Sequence, residues 1–95
     1  MSGSIEIPKI TISPIGGPPG TSVRIISTFH TAGSDVYVYL DAVRQKSLLI
    51  KGSAESNGFF HGSLKIPQGI SSGTHYIWVK DGSTGLSNVM AFNVT

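Results

Sequence analysis

The chain has 95 residues, 39% of them hydrophobic and 13% charged, with a formal net charge of +2, 12 glycines, 5 prolines and no cysteine. That length makes one domain, and a chain this apolar offsets its ordering entropy rather than remaining disordered. The charge is too sparse for a nucleic-acid footprint, since Lys and Arg are nowhere clustered, and the missing cysteines exclude a disulfide scaffold and any Cys-based zinc site.

No apolar run approaches the ~20 residues that cross a bilayer, so no membrane insertion is expected of this segment. Met1-Ser2-Gly3-Ser4 lacks the charged and apolar regions of a signal peptide and reads as a cloning scar. With a linker through Pro8, residues 1–8 stand apart and residues 9–95 form a single domain, one module of something longer.

The first strand is predicted over 9–13, with Ile10 and Ile12 inward. Residues 14–20 (PIGGPPG) read as a turn, because three prolines lack ladder donors and the glycines permit positive φ. A second strand follows over 21–27, with Val23 and Ile25 inward and Ile26 an apolar residue out of register. Phe29 is expected in the core, and residues 30–34 are a polar connection. Residues 35–41 (DVYVYLD) alternate most cleanly: Val36, Val38 and Leu40 face one way, Tyr37 and Tyr39 the other.

A short strand of open register is expected over 46–51. Asn57-Gly58 then signals a hairpin turn, both residues tolerating positive φ. The fifth strand spans 59–66, with Phe60, Leu64 and Ile66 on one face, Phe59 and His61 on the other, and Pro67 as its stop. Residues 74–81 (THYIWVKD) put Ile77 and Val79 inward and Tyr76, Trp78 and Lys80 outward; residues 86–95 close the domain with Met90, Phe92 and Val94 inward. Seven strands without helical periodicity predict an all-β antiparallel sandwich.

Three stretches, 10–25, 56–82 and 89–95, resemble the immunoglobulin-like repeat of bacterial and archaeal cell-surface proteins. Pro14, Gly17, Gly20, Phe29, Asn57, Gly58, Pro67, Gly73, Asp81 and Phe92 sit where that pattern places turn and core residues. The resemblance implies a seven-stranded immunoglobulin-like β-sandwich with Greek-key connections. It also implies an extracellular or cell-surface setting and neighbouring modules of the same parent chain as partners. This chain departs from the pattern at His75, and in carrying Tyr37, Tyr39, Tyr76 and Trp78 where outward residues are usually Thr or Ser.

Little here points to catalysis or to a cofactor. His30 and His75 fall at opposite ends of a sandwich whose strands span roughly 23 Å at ~3.3 Å per residue, so they cannot share a metal. His75 reads as a corner residue bonded to neighbouring backbone. No elbow motif such as GxSxG is present, and no local spacing pairs a Ser with a His. Asp35, Asp41, Glu55 and Asp81 fall at strand ends and turns, where acids commonly bond their own backbone.

The aromatic set differs. In immunoglobulin-like topology the third and sixth strands adjoin, which places Tyr37 and Tyr39 beside Tyr76, Trp78 and Lys80 on one outer face, with Val89 and Ala91 alongside. That face is the candidate binding site for a glycan or a protein partner. The alternative is cross-strand pairing, which stabilises a sheet by roughly 0.2–1 kcal/mol per pair and needs no ligand. The resemblance therefore implies a non-enzymatic spacer of a prokaryotic surface or secreted protein; the alternative is a binding module using this face.

Overall fold

The computed structural model describes residues 7–95; the scar expected over 1–4 and most of the expected linker lie outside them. Eight strands follow in order: β1 Lys9–Ser13, β2 Gly16–Gly17, β3 Ser22–Thr28, β4 Asp35–Leu40, β5 Leu48–Ser53, β6 Phe60–Lys65, β7 Gly73–Asp81 and β8 Ser87–Val94, with a single 3-10 turn, Gln45–Ser47, ahead of β5. They form a three-stranded sheet, β1-β3-β6, and a five-stranded sheet, β2-β8-β7-β4-β5. Every pairing is antiparallel except β2 with β8. Among the described residues no helix is long and apolar enough to cross a membrane.

The two sheets enclose one core because alternate side chains of each strand point inward. Ile10 and Ile12 of β1, Val23 and Ile25 of β3, and Phe60 and Leu64 of β6 meet Val36 and Val38 of β4, Ile77 and Val79 of β7, and Phe92 and Val94 of β8. All of these were expected inward. Met90 packs at the margin of the core and is only partly buried.

Four expectations are corrected. The stretch after β1 contains an eighth strand, not only a turn. Its prolines are spaced so that Gly16 and Gly17 still run parallel to Asn93 and Val94, and Asn93 N–H donates to the Ile15 carbonyl at 3.1 Å while Thr95 N–H donates to Gly17 at 3.0 Å. Residues 55–58 do form a tight turn, with Gly58 N–H on the Glu55 carbonyl at 2.9 Å. The flanking strands, however, belong to different sheets: β5 pairs with β4 and β6 pairs with β3, so the turn carries the chain across the domain rather than closing a hairpin.

Phe29 is not core. Its backbone adopts φ 67, which swings the ring out of the alternation, and the side chain is 55% exposed. Pro8, read as linker, is fully buried, and its carbonyl accepts from Asn88 Nδ2 at 2.8 Å.

The strand register also fixes where the chain enters and leaves. Lys9 lies opposite Thr28, and His30, two residues on, bonds Asp81 at the end of β7. Val94 lies opposite Gly73, at the start of β7. Entry and exit therefore sit at opposite poles of a body whose longest dimension is 47 Å.

Candidate functional site

β4 and β7 are neighbours, and their outward residues form rows across the five-stranded sheet. In one row Tyr37 stands between Lys51 of β5 and Lys80 of β7. In the next, Tyr39 stands between Leu48 and Trp78, and Trp78 in turn faces Val89 of β8. Tyr76 lies opposite Ala91. The five expected residues do share one face, with Val89 and Ala91 beside them.

They are not equally open. Tyr39 is buried, Tyr37, Trp78 and Lys80 are half-buried, and only Tyr76 is exposed. Tyr37 and Tyr39 stack at 6.4 Å with planes 29° apart, and Lys51 Nζ lies 5.7 Å from the Tyr37 ring centre. An offset stack and a cation over a ring are each favourable without any ligand. One atom lacks such an account: Trp78 Nε1 is buried and has no hydrogen-bond partner. A buried indole donor left unpaired costs about 1–3 kcal/mol.

At the exit pole His75 bridges two elements. Its Nδ1 lies 2.6 Å from Asp41 Oδ2 and its Nε2 lies 2.8 Å from the Ser71 carbonyl oxygen. The backbone bond matches the corner role expected for it; the carboxylate was not foreseen. Both ring nitrogens face acceptors, so both bonds are satisfied together only by the imidazolium. The Asp41 hydrogen bond raises the His75 pKa above 6.5 against the opposing effect of burial, and the Ser71 carbonyl adds to it.

The folded value being raised, the stabilisation is fully present below the unfolded pKa of about 6.5 and is lost as pH rises through the folded value. An NMR titration of His75 is expected to give a midpoint above that of a free histidine. Asp41→Asn, which tolerates the local φ of 66, is expected to return the midpoint toward the ordinary range.

At the entry pole the structure assembles what the sequence did not suggest. Ser27 Oγ lies 2.7 Å from His30 Nε2, and His30 Nδ1 lies 3.1 Å from Asp81 Oδ1. A Ser does therefore pair with a His three residues on, in the order of a hydrolase triad. The arrangement is nevertheless closed: Ser27 is fully buried and His30 and Asp81 nearly so, leaving the hydroxyl no route to a substrate.

Asp81 is instead a hub. Its carboxylate also accepts from Ser34 Oγ at 2.6 Å, from Thr84 N–H and Oγ1 at 3.0 Å, and from Thr31 N–H and Oγ1 at 3.3 Å. Burial opposes ionisation here, but the bonds from Ser34, Thr84 and His30 outweigh it and hold the carboxyl well below the usual carboxylate range. The own-turn bond to Thr84 was expected of a turn acid; the partners from the 30–34 connection were not. Asp81 ties three segments into one pole.

No family model matches the chain, and no curated protein matches it. Among solved structures, macromomycin aligns with a TM-score of 0.71 at 15% identity, over 93% of this chain and 99% of its own. At that identity the likeness is one of fold.

Proposed function

We propose that the domain is an immunoglobulin-like β-sandwich with Greek-key connections, serving as a non-enzymatic spacer of a prokaryotic surface or secreted protein. Its partners on this reading are neighbouring modules of the same parent chain. The observation that carries it is the placement of entry and exit at opposite poles of a 47 Å body. Copies joined in tandem extend rather than fold back.

The strand order suits that work. Tension between the poles draws β2 and β8, which run parallel, in opposite directions along their length, so their hydrogen bonds are loaded together rather than one after another. Closure of the entry pole around Asp81, and burial of Ser27 within it, support a structural role for the Ser27–His30–Asp81 set. In the Ser71–His75–Asp41 set, Ser71 Oγ lies 3.3 Å from His75 Nε2, but that nitrogen is taken up by the Ser71 carbonyl at 2.8 Å, which supports a structural role there too.

Small-angle X-ray scattering on two copies joined in tandem tests the reading. The expected maximum dimension is close to twice the 47 Å long axis. A value near that of one copy, with the pair folded side by side, would sink it.

A second reading is favoured by the exposed Tyr76 ring on the five-stranded sheet. A glycan ring or a partner's apolar surface landing on the Tyr37, Tyr39, Tyr76, Trp78 and Lys80 face would stack on the Tyr76 ring, with the half-buried Tyr37, Trp78 and Lys80 beside it. Trp78 is the only tryptophan, so its emission reports directly on this face. A shift or quench with one member of an oligosaccharide panel supports the binding reading; an unchanged spectrum across the panel leaves the spacer alone.

A further inference from the structure

The opposite face, on the three-stranded sheet, carries a groove of about 700 Å³ lined by Lys9, Thr11, Ile26, Phe29, Asn57 and Phe59 among others. Its size falls within the range of small-molecule sites, roughly 300–1,000 Å³. Two of the exposed large hydrophobic side chains of the domain, Phe29 at 55% and Phe59 at 38%, open into this one groove.

Phe29 is held there against its own preference. At φ 67 its backbone occupies the left-handed region, where a Cβ is crowded and an aromatic residue is rare. The conformation places the ring outside the core, more than half exposed at the rim of the groove. Strain of this kind that the core does not use points to a surface role. Phe59 is fixed in a different way: its ring stacks on His61 at 6.1 Å with planes 20° apart, and His61 Nδ1 lies 2.6 Å from Glu55 Oε2. One wall is thus preformed, which lowers the ordering entropy that a ligand has to offset.

The charge in the groove has one sign. Lys9 is a cation and no carboxylate lines the groove, while Thr11, Thr28 and Asn57 supply hydroxyls and an amide. We propose that this groove is a binding site for a small aromatic anion, its rings against Phe29 and Phe59 and its acid group on the Lys9 ammonium. This goes beyond the spacer reading and uses the sheet opposite to Trp78, so neither reading depends on the other.

The probe is 8-anilinonaphthalene-1-sulfonate, titrated into the intact chain and followed by amide chemical shifts, with its uncharged analogue N-phenyl-1-naphthylamine in parallel. The expected shifts cluster on Lys9, Thr11, Thr28, Phe29, Asn57 and Phe59. Phe29→Gly relieves the positive φ and removes only an exposed ring, so its melting temperature is expected to hold or rise while affinity for the probe falls about tenfold.

Lys9→Met is expected to weaken the sulfonate several-fold and leave the uncharged analogue unchanged. Shifts scattered over the surface or confined to the Trp78 face would overturn the proposal. So would undiminished binding by Phe29→Gly, and equal effects of Lys9→Met on the two probes would remove the anion from it.

Discussion

Asp81→Ala is expected to lower the stability of the domain by about 3–5 kcal/mol, the usual effect of removing one partner from a buried charged network. The side chain is 1% exposed and its two oxygens take bonds from His30, Thr31, Ser34 and Thr84. Alanine leaves the His30 Nδ1 donor buried without its acceptor and Ser34 Oγ with only the Asp35 carbonyl at 3.5 Å, and it unties the 30–34 connection from the turn after β7. Against a typical total of 5–15 kcal/mol, that is enough to populate the unfolded state. Urea denaturation at neutral pH measures it; a loss below about 1 kcal/mol would show that the hub is ornamental.

Acid separates the charge of Asp81 from its shape. The folded pKa is depressed, so the stabilisation is present above the unfolded value of about 4 and drains away as pH falls below it toward the folded value. Asp81→Asn keeps the volume and one acceptor oxygen but cannot titrate. It is expected to be less stable than the parent at pH 7 by about 1–3 kcal/mol, with a flatter stability profile below pH 4. Parallel acid profiles for the two proteins would mean that other carboxylates govern acid unfolding.

Why the sequence disclosed the strands but not this hub is a matter of range. Ile10, Ile12, Val36, Val38, Ile77 and Val79 announce themselves through a period of two, which each strand carries within itself. The aromatic face needed one further inference, that β4 and β7 are neighbours, and the register places Tyr39 opposite Trp78. How far each ring is buried was beyond reach, because it depends on packing across strands that no single segment encodes.

Asp81 is a harder case. Its partners His30, Thr31 and Ser34 are 51, 50 and 47 residues away, and from its own neighbourhood it is simply an acid before Gly82. Phe29 misled for the opposite reason. An apolar residue after a strand reads as core, and only its φ of 67, set by the turn into the 30–34 connection, turns it outward. Gly58 was legible in kind: its φ of 82 is what Asn-Gly signals. Its second constraint, a Cβ that would stand 2.7 Å from the His30 carbonyl oxygen, comes from another strand's loop.

A comparable long-range fit governs the open side of the domain, where the edge strands β5 and β6 of the two sheets approach each other. Phe60, 3% exposed, fills that seam over two glycines. A Cβ on Gly52 would stand 2.5 Å from Phe60 Cε1, and one on Gly62 would stand 2.9 Å from Phe60 Cζ and 3.0 Å from Ile50 Cδ1. The glycines are there for space, since neither has positive φ. Phe60→Ala is expected to cost about 3–5 kcal/mol through the cavity it leaves, and Gly52→Ala about 1–3 kcal/mol through overpacking against a ring with no room to retreat.

The two changes should not add. Once the ring is gone the three closest contacts of the new methyl go with it, so Gly52→Ala in the Phe60→Ala background is expected to be neutral or to recover part of the loss by filling the cavity. A double-mutant cycle in thermal or urea unfolding reads that coupling directly, with an expected magnitude of about 1–3 kcal/mol. Additive effects would mean that Phe60 and Gly52 act separately, and that the seam between the sheets is closed by something other than the fit of this ring over the two glycines.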